Sequence, residues 1–357
     1  LNKLDHYITR SFWVTYLFIQ GMIVALVVLV DFVEKIDDFI DRNIAAHDII
    51  FVYYANFVPY YANLFAPICV FLAVVFFTSR MANRTEIIPM LSAGVSYYRI
   101  FVPYIITAVI LAGISFYLRS YTVPISAKKR IEFEYRIQDK KRITSNRNIH
   151  KKVAPDTYVY FNFYNEDRKE GHNFTMERVQ DGDIVTKFQA NRIRWVDSTE
   201  NWQMIRVTKR DILPEDEKIE HFKEIDTTFL LKPDDLFIIE HKEQTLKLPD
   251  LFEYIKLEEM RGSDILRELY LERHRRFAYP LAIIVLTVIG FAMSSRKSRG
   301  GTALQIGIGL FLCFVYIMFL TAGEAISGGR YPPWMAVWMP NIIFSILGVF
   351  LLIKAPK

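Results

Sequence analysis

Six stretches of this sequence are apolar and long enough to cross a lipid bilayer as helices, and nothing else in it narrows the possible folds so far. Crossing roughly 30 Å of hydrocarbon takes about 20 residues in a helix, a form that satisfies its backbone polar groups within one segment. The windows run near Phe12–Val33, Phe51–Ser79, Ile100–Leu118, Phe277–Ser294, Ala303–Ile326 and Trp334–Ile353. Pro59 and Pro67 fall in the second, which predicts a tilted or kinked span. The first is too long for a signal core and no small-x-small cleavage site follows it, so it reads as a span.

Apolar residues make up 52% of the 357, rich for a soluble protein, and they gather toward the two ends while the charges lie in the middle. That asymmetry predicts three spans, a soluble insert and three more spans. Lys3, Arg10, Arg80, Arg84, Arg99, Arg296, Lys297, Arg299, Lys354 and Lys357 all fall on one side of such an arrangement, and the short opposite loop "EKIDDFIDRN" is acidic. The positive-inside rule then places both termini in the cytoplasm and the insert outside it. The basic stretch "LERHRRFAYP" opposes this, but the rule weakens after a long loop. The expected divisions are residues 1–118 for the first three spans, 119–272 for the insert and 273–357 for the last three.

The insert has strand patterning in "TYVYFNFYN" (Thr157–Asn165), "IVTKFQANRIRWV" (Ile184–Val196) and "WQMIRVTKRDIL" (Trp202–Leu213). Polar clusters such as "NEDRKEG", "QDGD" and "DSTEN" separate these runs, which predicts an all-β sandwich or jelly roll. Before it, "KKRIEFEYRIQDKKR" reads as a basic helix, either a solvated face or a contact for lipid head groups. After it, Leu248, Leu251, Phe252, Ile255 and Leu257 give a helical apolar stripe that Gly262 would stop. The next helix is expected to begin near Ser263 and run into the fourth span.

Nothing in the sequence proposes catalysis. There is no G-x-x-x-x-G-K-[ST], no H-E-x-x-H and no G-x-S-x-G. The glycines of "RGGTALQIGIG" suit close helix packing in a membrane. His221 and His241 each follow a glutamate in strand-like sequence, where neighbours point to opposite faces and cannot share a metal. Cys69 and Cys313 lie inside spans and read as small packing residues. Ionisable groups near span ends remain: Asp31 and Glu34 at the first, Glu324 at the fifth, and Arg330 on the same outer side. They fit either interfacial solvation or a cavity, and Arg330 either an anionic head group or a snorkelling side chain.

Between the second and third spans lies "NRTEIIPMLSAGVSYYR". Asn83 is placed to cap a helix over residues 83–97, with Glu86 completing a capping-box-like pair. Ile87, Met90 and Leu91 form an apolar face, Pro89 tightens the turn and Gly94 suits the C-terminal end. Such an element is either a plain interfacial helix or a docking peg for a groove on another protein.

The same segment, through "TEIIPMLSAGVS", resembles the coupling helix of the YjgP/YjgQ permease family, the LptF and LptG subunits of the lipopolysaccharide exporter. "LDHYITRSF" (Leu4–Phe12) resembles the family's lead-in to its first span. "ERHRRFAYPLAIIVLTVIGFAMSSR" (Glu272–Arg296) and "WMAVWMPNIIFSILGVFLLIK" (Trp334–Lys354) resemble its fourth and sixth spans. The order of three spans, β insert and three spans is also the family's. The resemblance implies an inner-membrane bundle of six helices with an inserted periplasmic jelly-roll-like domain. It further implies a second six-span permease partner, a cytoplasmic LptB-like ATPase dimer that binds the ATP and Mg, and LptC/LptA-like periplasmic β proteins. Lipopolysaccharide would be the cargo, with no cofactor in this chain and no nucleic acid. Asn83, Arg84, Glu86, Ile87, Met90, Leu91 and Gly94 would meet the ATPase. Phe32, Lys35, Tyr316, Phe319, Glu324 and Arg330 are the candidates for the cargo cavity or its gate. One departure stands out: family members often carry lysine near the outer end of the first span, whereas here Asp31, Glu34, Asp37 and Asp38 surround the single base Lys35. Rival readings are a membrane-anchored adaptor with a β binding module and an intramembrane lipid-modifying enzyme.

Overall fold

All six apolar windows are helical. A computed structural model describes residues 3–137, 147–165, 168–212, 216–236, 242–263, 265–296, 301–326 and 331–354. Helix α1 covers Lys3–Asp41, and a π-helical stretch over Asp48–Tyr54 leads into α2, Ala55–Asn83. The short α3, Ile87–Ser92, precedes α4, Tyr97–Tyr117, which passes through a second π-helical stretch into α5, Val123–Ile137. After the insert come α6 (Lys242–Thr245), α7 (Leu248–Arg261), α8 (Leu266–Ser294), α9 (Gly301–Ile326) and α10 (Pro333–Lys354). Six of these segments are long and apolar enough to span a membrane. Gly262 stops α7 as expected, at φ +66°, with the Ser263 and Gly262 amides returning to the Glu258 and Glu259 carbonyls.

The described chain divides into two compact units. One comprises Leu1–Ile137, Gln244–Leu248 and Tyr270–Lys357, the other Gln138–Glu243 and Pro249–Leu269. In the first, α2 is the central helix. One of its faces joins a core with α1, α3, α4 and α8, through Phe12, Val70, Val74, Tyr104 and Phe291. The other meets α8, α9 and α10 through Phe71, Val75, Ile289, Tyr316 and Phe344. Small residues set the approach: a Cβ at Gly309 would stand 2.8 Å from Phe71, and one at Gly323 2.7 Å from the Ala336 carbonyl. Gly307, in the same glycine-rich run, meets nothing within 4 Å. Helix α1 is covered least, with buried side chains only at Asp5, Ile8, Phe12 and Phe39.

Between residues 147 and 227 the described part of the insert is built of strands, as its alternation predicts. Its strands are β1 (Arg147–Ala154), β2 (Thr157–Asn165), β3 (Glu170–Gln180), β4 (Asp183–Val196), β5 (Asn201–Ile212) and β6 (Glu217–Thr227). They form one antiparallel sheet in the order β1-β2-β3-β4-β5-β6, a meander rather than the crossing connections of a jelly roll. Short links explain this, because a two-residue turn can join only antiparallel neighbours. Asp181 and Gly182, both at positive φ, make such a turn between β3 and β4. One side of the sheet carries the core of this unit, built on Phe161, Phe174, Ile193 and Trp202. The segment after β6 caps it: Phe229 stacks on Phe174 and Trp202, and the Trp202 indole donates to the Leu231 carbonyl at 2.7 Å. Gly171 is required here, since a Cβ would lie 2.6 Å from the Phe161 ring. His221 meets Thr208 across the sheet and Glu220 pairs with Lys218; His241 lies outside the described residues.

Candidate functional site

The element between the second and third spans differs in detail from its sequence reading. Helix α2 runs on to Asn83, with Arg84 at its C-cap, so Asn83 closes the preceding helix instead of capping the next. The Glu86 and Thr85 amides return to the Met81 and Ala82 carbonyls, a closing motif that puts its second-from-last residue in the left-handed region. That residue is Thr85, at φ +57°. A β-branched side chain there is strained by about 1 kcal/mol. Thr85→Gly is therefore expected to raise stability by about 0.5–1 kcal/mol, read from thermal melting in detergent. A lower melting point would mean that the Thr85 hydroxyl, which donates to the Arg84 carbonyl at 2.6 Å, outweighs the strain.

Glu86 sits at the N-cap of α3 and makes no capping bond. Its carboxylate instead accepts from the Tyr7 hydroxyl of α1 at 3.0 Å, so the capping-box reading does not hold. At the other end Gly94 does what its position predicts: φ is +83°, and the Val95 and Gly94 amides return to the Met90 and Leu91 carbonyls. Ser96 then caps α4 through the Arg99 amide. Pro89 falls in the first turn of α3, where a missing N–H breaks no helical bond.

The apolar stripe of α3 faces inward. Ile87 is buried, and Met90 and Leu91 pack on the core shared by α1, α2, α4 and α8. These three residues anchor the helix, Ile87 buried and Met90 and Leu91 half-buried. Arg84, Ile88, Pro89, Ser92 and Ala93 are the outward residues. Two long-range ties reinforce the anchor. One is Tyr7 to Glu86; the other is a two-pronged pair from the Arg99 guanidinium to Asp5, at 2.7 and 2.6 Å. Both join the start of α1 to the segment flanking α3, so α1, α2 and α4 are gripped around it.

At the far ends of these helices a second polar cluster forms. Lys35 lies 3.0 Å from Asp31 and 2.9 Å from Glu134 of α5, and it donates to the Tyr53 hydroxyl. Tyr53 is within 3.2 Å of Asp31 and 3.1 Å of Glu134, and Tyr54 donates to Asp31 at 3.2 Å. The π-helical stretch supplies both tyrosines. One ammonium thus serves two carboxylates, leaving the cluster with a net negative charge. Phe32, half-exposed beside it, approaches Phe39 and Tyr54.

The cavity candidates separate. Phe319 lines an apolar cavity of about 360 Å³ with Gly323, Tyr331, Met335 and Met339. Tyr316 does not: it is buried, and its hydroxyl donates to Asn341 at 2.8 Å while Asn341 donates to the Ala278 carbonyl at 2.9 Å. That chain ties α9 to α10 and α8, the usual solution for polar groups inside a bundle. Arg330 and the Glu324 side chain lie outside the described residues.

A family model described as lipopolysaccharide export system permease LptF/LptG matches residues 6–354. The lipopolysaccharide export system permease protein LptG of Haemophilus influenzae is 22% identical over 354 residues, which cover 97% of each chain.

Proposed function

Because the chain belongs to the LptF/LptG family of lipopolysaccharide export permeases, we propose that it is the membrane-embedded subunit of an ABC-type exporter, lifting lipopolysaccharide from the inner membrane toward a periplasmic bridge. The protein is a multi-pass inner-membrane protein of a transporter family. On this reading α3 and both termini face the cytoplasm and the β unit is periplasmic, in keeping with the distribution of basic residues. A second six-span subunit completes the cavity, an ATPase dimer binds the ATP and Mg, and periplasmic β proteins of the LptC/LptA kind receive the lipid.

The observation that carries the coupling role is the mounting of α3. A six-residue helix on a loose loop would absorb a push. This one is held by Ile87 in the core, by Tyr7 at Glu86 and by Arg99 at Asp5, so displacement by a nucleotide-driven partner passes to α1, α2 and α4 together. The docking face is the outward one, Arg84, Ile88 and Pro89 with the edge of Glu86, and the stripe of Ile87, Met90 and Leu91 is the root.

Glu86 is the residue to test, because two roles can be separated. Glu86→Ala removes both the Tyr7 bond and any contact with the ATPase, whereas Tyr7→Phe removes only the first. Lipid extraction from proteoliposomes containing the assembled exporter is expected to fall by about tenfold or more in Glu86→Ala and to fall clearly less in Tyr7→Phe, which loosens one of the three ties. Equal losses in the two variants would reduce Glu86 to an internal tie.

A further inference from the structure

At the α3 end of the bundle, α1 and α2 enclose a cavity of about 570 Å³ whose upper wall is strongly basic. Lys3 and Arg10 line it from α1, and Arg80 and Arg84 from α2. On each helix the two cations share a face, at a spacing of seven or four residues, and the four converge on one space. Like charges four apart on a helix repel. Elsewhere at this end the chain supplies a carboxylate where a guanidinium needs one, as Asp5 does for Arg99. Here it does not. Among the described residues no carboxylate is within ion-pairing distance of these four cations, and the one carboxylate in the lining, Glu86, accepts from Tyr7.

The lower wall is of another kind. Val14 and Phe77 floor the cavity, and below Val14 the surface of α1 continues as an exposed apolar strip through Leu17 and Phe18, at 59% and 70% exposure. The cavity therefore opens directly onto hydrocarbon-facing surface at the level where the apolar part of the first span begins. A soluble anion would use the basic wall and gain nothing from the strip. An acidic protein segment would have to lie in the membrane to reach it. A molecule with a negative head and apolar tails satisfies both walls at once, and basic pockets between membrane helices suit anionic head groups.

We propose that this cavity binds the head group of an anionic phospholipid, held by Lys3, Arg10 and Arg80, with its acyl chains lying along Val14, Leu17 and Phe18 and Arg84 at the rim it shares with the outward face of α3. The assignment rests on the membrane embedding of the helices and not on the ATPase-coupling role of α3. A lipid seated there joins α1 to α2 beside the Tyr7–Glu86 tie and neutralises a charge cluster that would otherwise push the two helix ends apart.

Native mass spectrometry of the full chain in detergent, titrated with dioleoylphosphatidylglycerol or dioleoylphosphatidylcholine, tests this. No ATPase is present, so failure here leaves the coupling reading untouched. The wild-type chain is expected to retain the phosphatidylglycerol on the order of tenfold better than the phosphatidylcholine, and Arg10→Gln with Arg80→Gln to abolish that preference. Equal retention of the two lipids by the wild-type chain, a comparison that needs no variant to fold, overturns the proposal. So does undiminished phosphatidylglycerol retention by a folded double variant. Displacement of the lipid by inorganic phosphate as effectively as by added phosphatidylglycerol would assign the site to the free anion and equally overturn the lipid reading.

Discussion

Arg261→Ala is expected to destabilise the β-containing unit by about 3–5 kcal/mol, the effect of leaving a buried charge without its counterion. Arg261 is only 4% exposed and bridges two carboxylates, Asp235 at 2.6 Å and Glu258 at 2.5 Å. Lys242 reaches the same Asp235 at 3.3 Å. Removing the guanidinium leaves Glu258, itself buried, facing Asp235 with the more distant ammoniums of Lys242 and Lys151 for relief. Chemical denaturation of the full chain in detergent, followed by tryptophan fluorescence, measures the change, because Trp202 and Trp195 sit in this unit's core cluster. Arg261→Ala combined with Glu258→Gln should recover part of the loss; a single variant as stable as wild type would mean that solvent already reaches the pair.

Acid provides an independent reading of the same cluster. Burial alone would raise the Asp235 carboxyl, but the Arg261 and Lys242 charges outweigh it and hold it below the usual carboxylate range. A carboxyl depressed in the folded state adds stability that is fully present above the unfolded value of about 4 and is lost as pH falls through the lower folded value. Arg261→Ala should therefore make stability less dependent on pH below about 4, besides lowering it at neutrality.

Lys35→Ala is expected to cost about 2–3 kcal/mol, less than Arg261 because the cluster is partly open. Lys35, Asp31 and Glu134 are 16%, 13% and 27% exposed at the side chain. Without the ammonium, two carboxylates from α1 and α5 converge on one tyrosine hydroxyl. Thermal melting in detergent reads the effect, and Lys35→Met with Glu134→Gln, which removes one charge of each sign, should restore most of it. A Lys35→Ala protein that melts with the wild type would show water already solvating both acids. The cluster also bears on cargo. Its one base is engaged by internal acids, so a lipid phosphate would have to compete with Asp31 and Glu134 for Lys35, and cations from another subunit would meet it more readily.

The spans were legible because hydropathy over twenty residues needs no tertiary information. The strands were legible where one face is buried, as in β2, with Val159, Phe161 and Tyr164 inward. β1 and β3 escaped because charged and polar residues break their alternation, as in "RNIHKKVA" and "EGHNFTMERVQ". β6, an edge strand exposed on most positions, hinted at itself only around His221. The segment after α2 was misread for a local reason: Asn83 and Glu86 fit a capping pattern, and nothing in a threonine announces a left-handed backbone. The ties that matter most there, Tyr7 to Glu86 and Asp5 to Arg99, join residues 79 and 94 apart and leave no local signal. Tyr316 shows the limit of hydropathy within a span, which cannot tell a residue on a cavity wall from one buried between helices.

Between Trp13 and Asp38 the first helix has no buried side chain, only a half-covered stripe along one edge. Its firm attachments are pins near its two extremities, at Asp5, Ile8 and Phe12 and again at Phe39. Between them Trp13, Tyr16, Ile19, Val27 and Val28 lie half-covered against the core and Gln20 donates to the Ala62 carbonyl at 3.1 Å, so a rod fastened in this way has little fully buried surface to lose if its middle shifts.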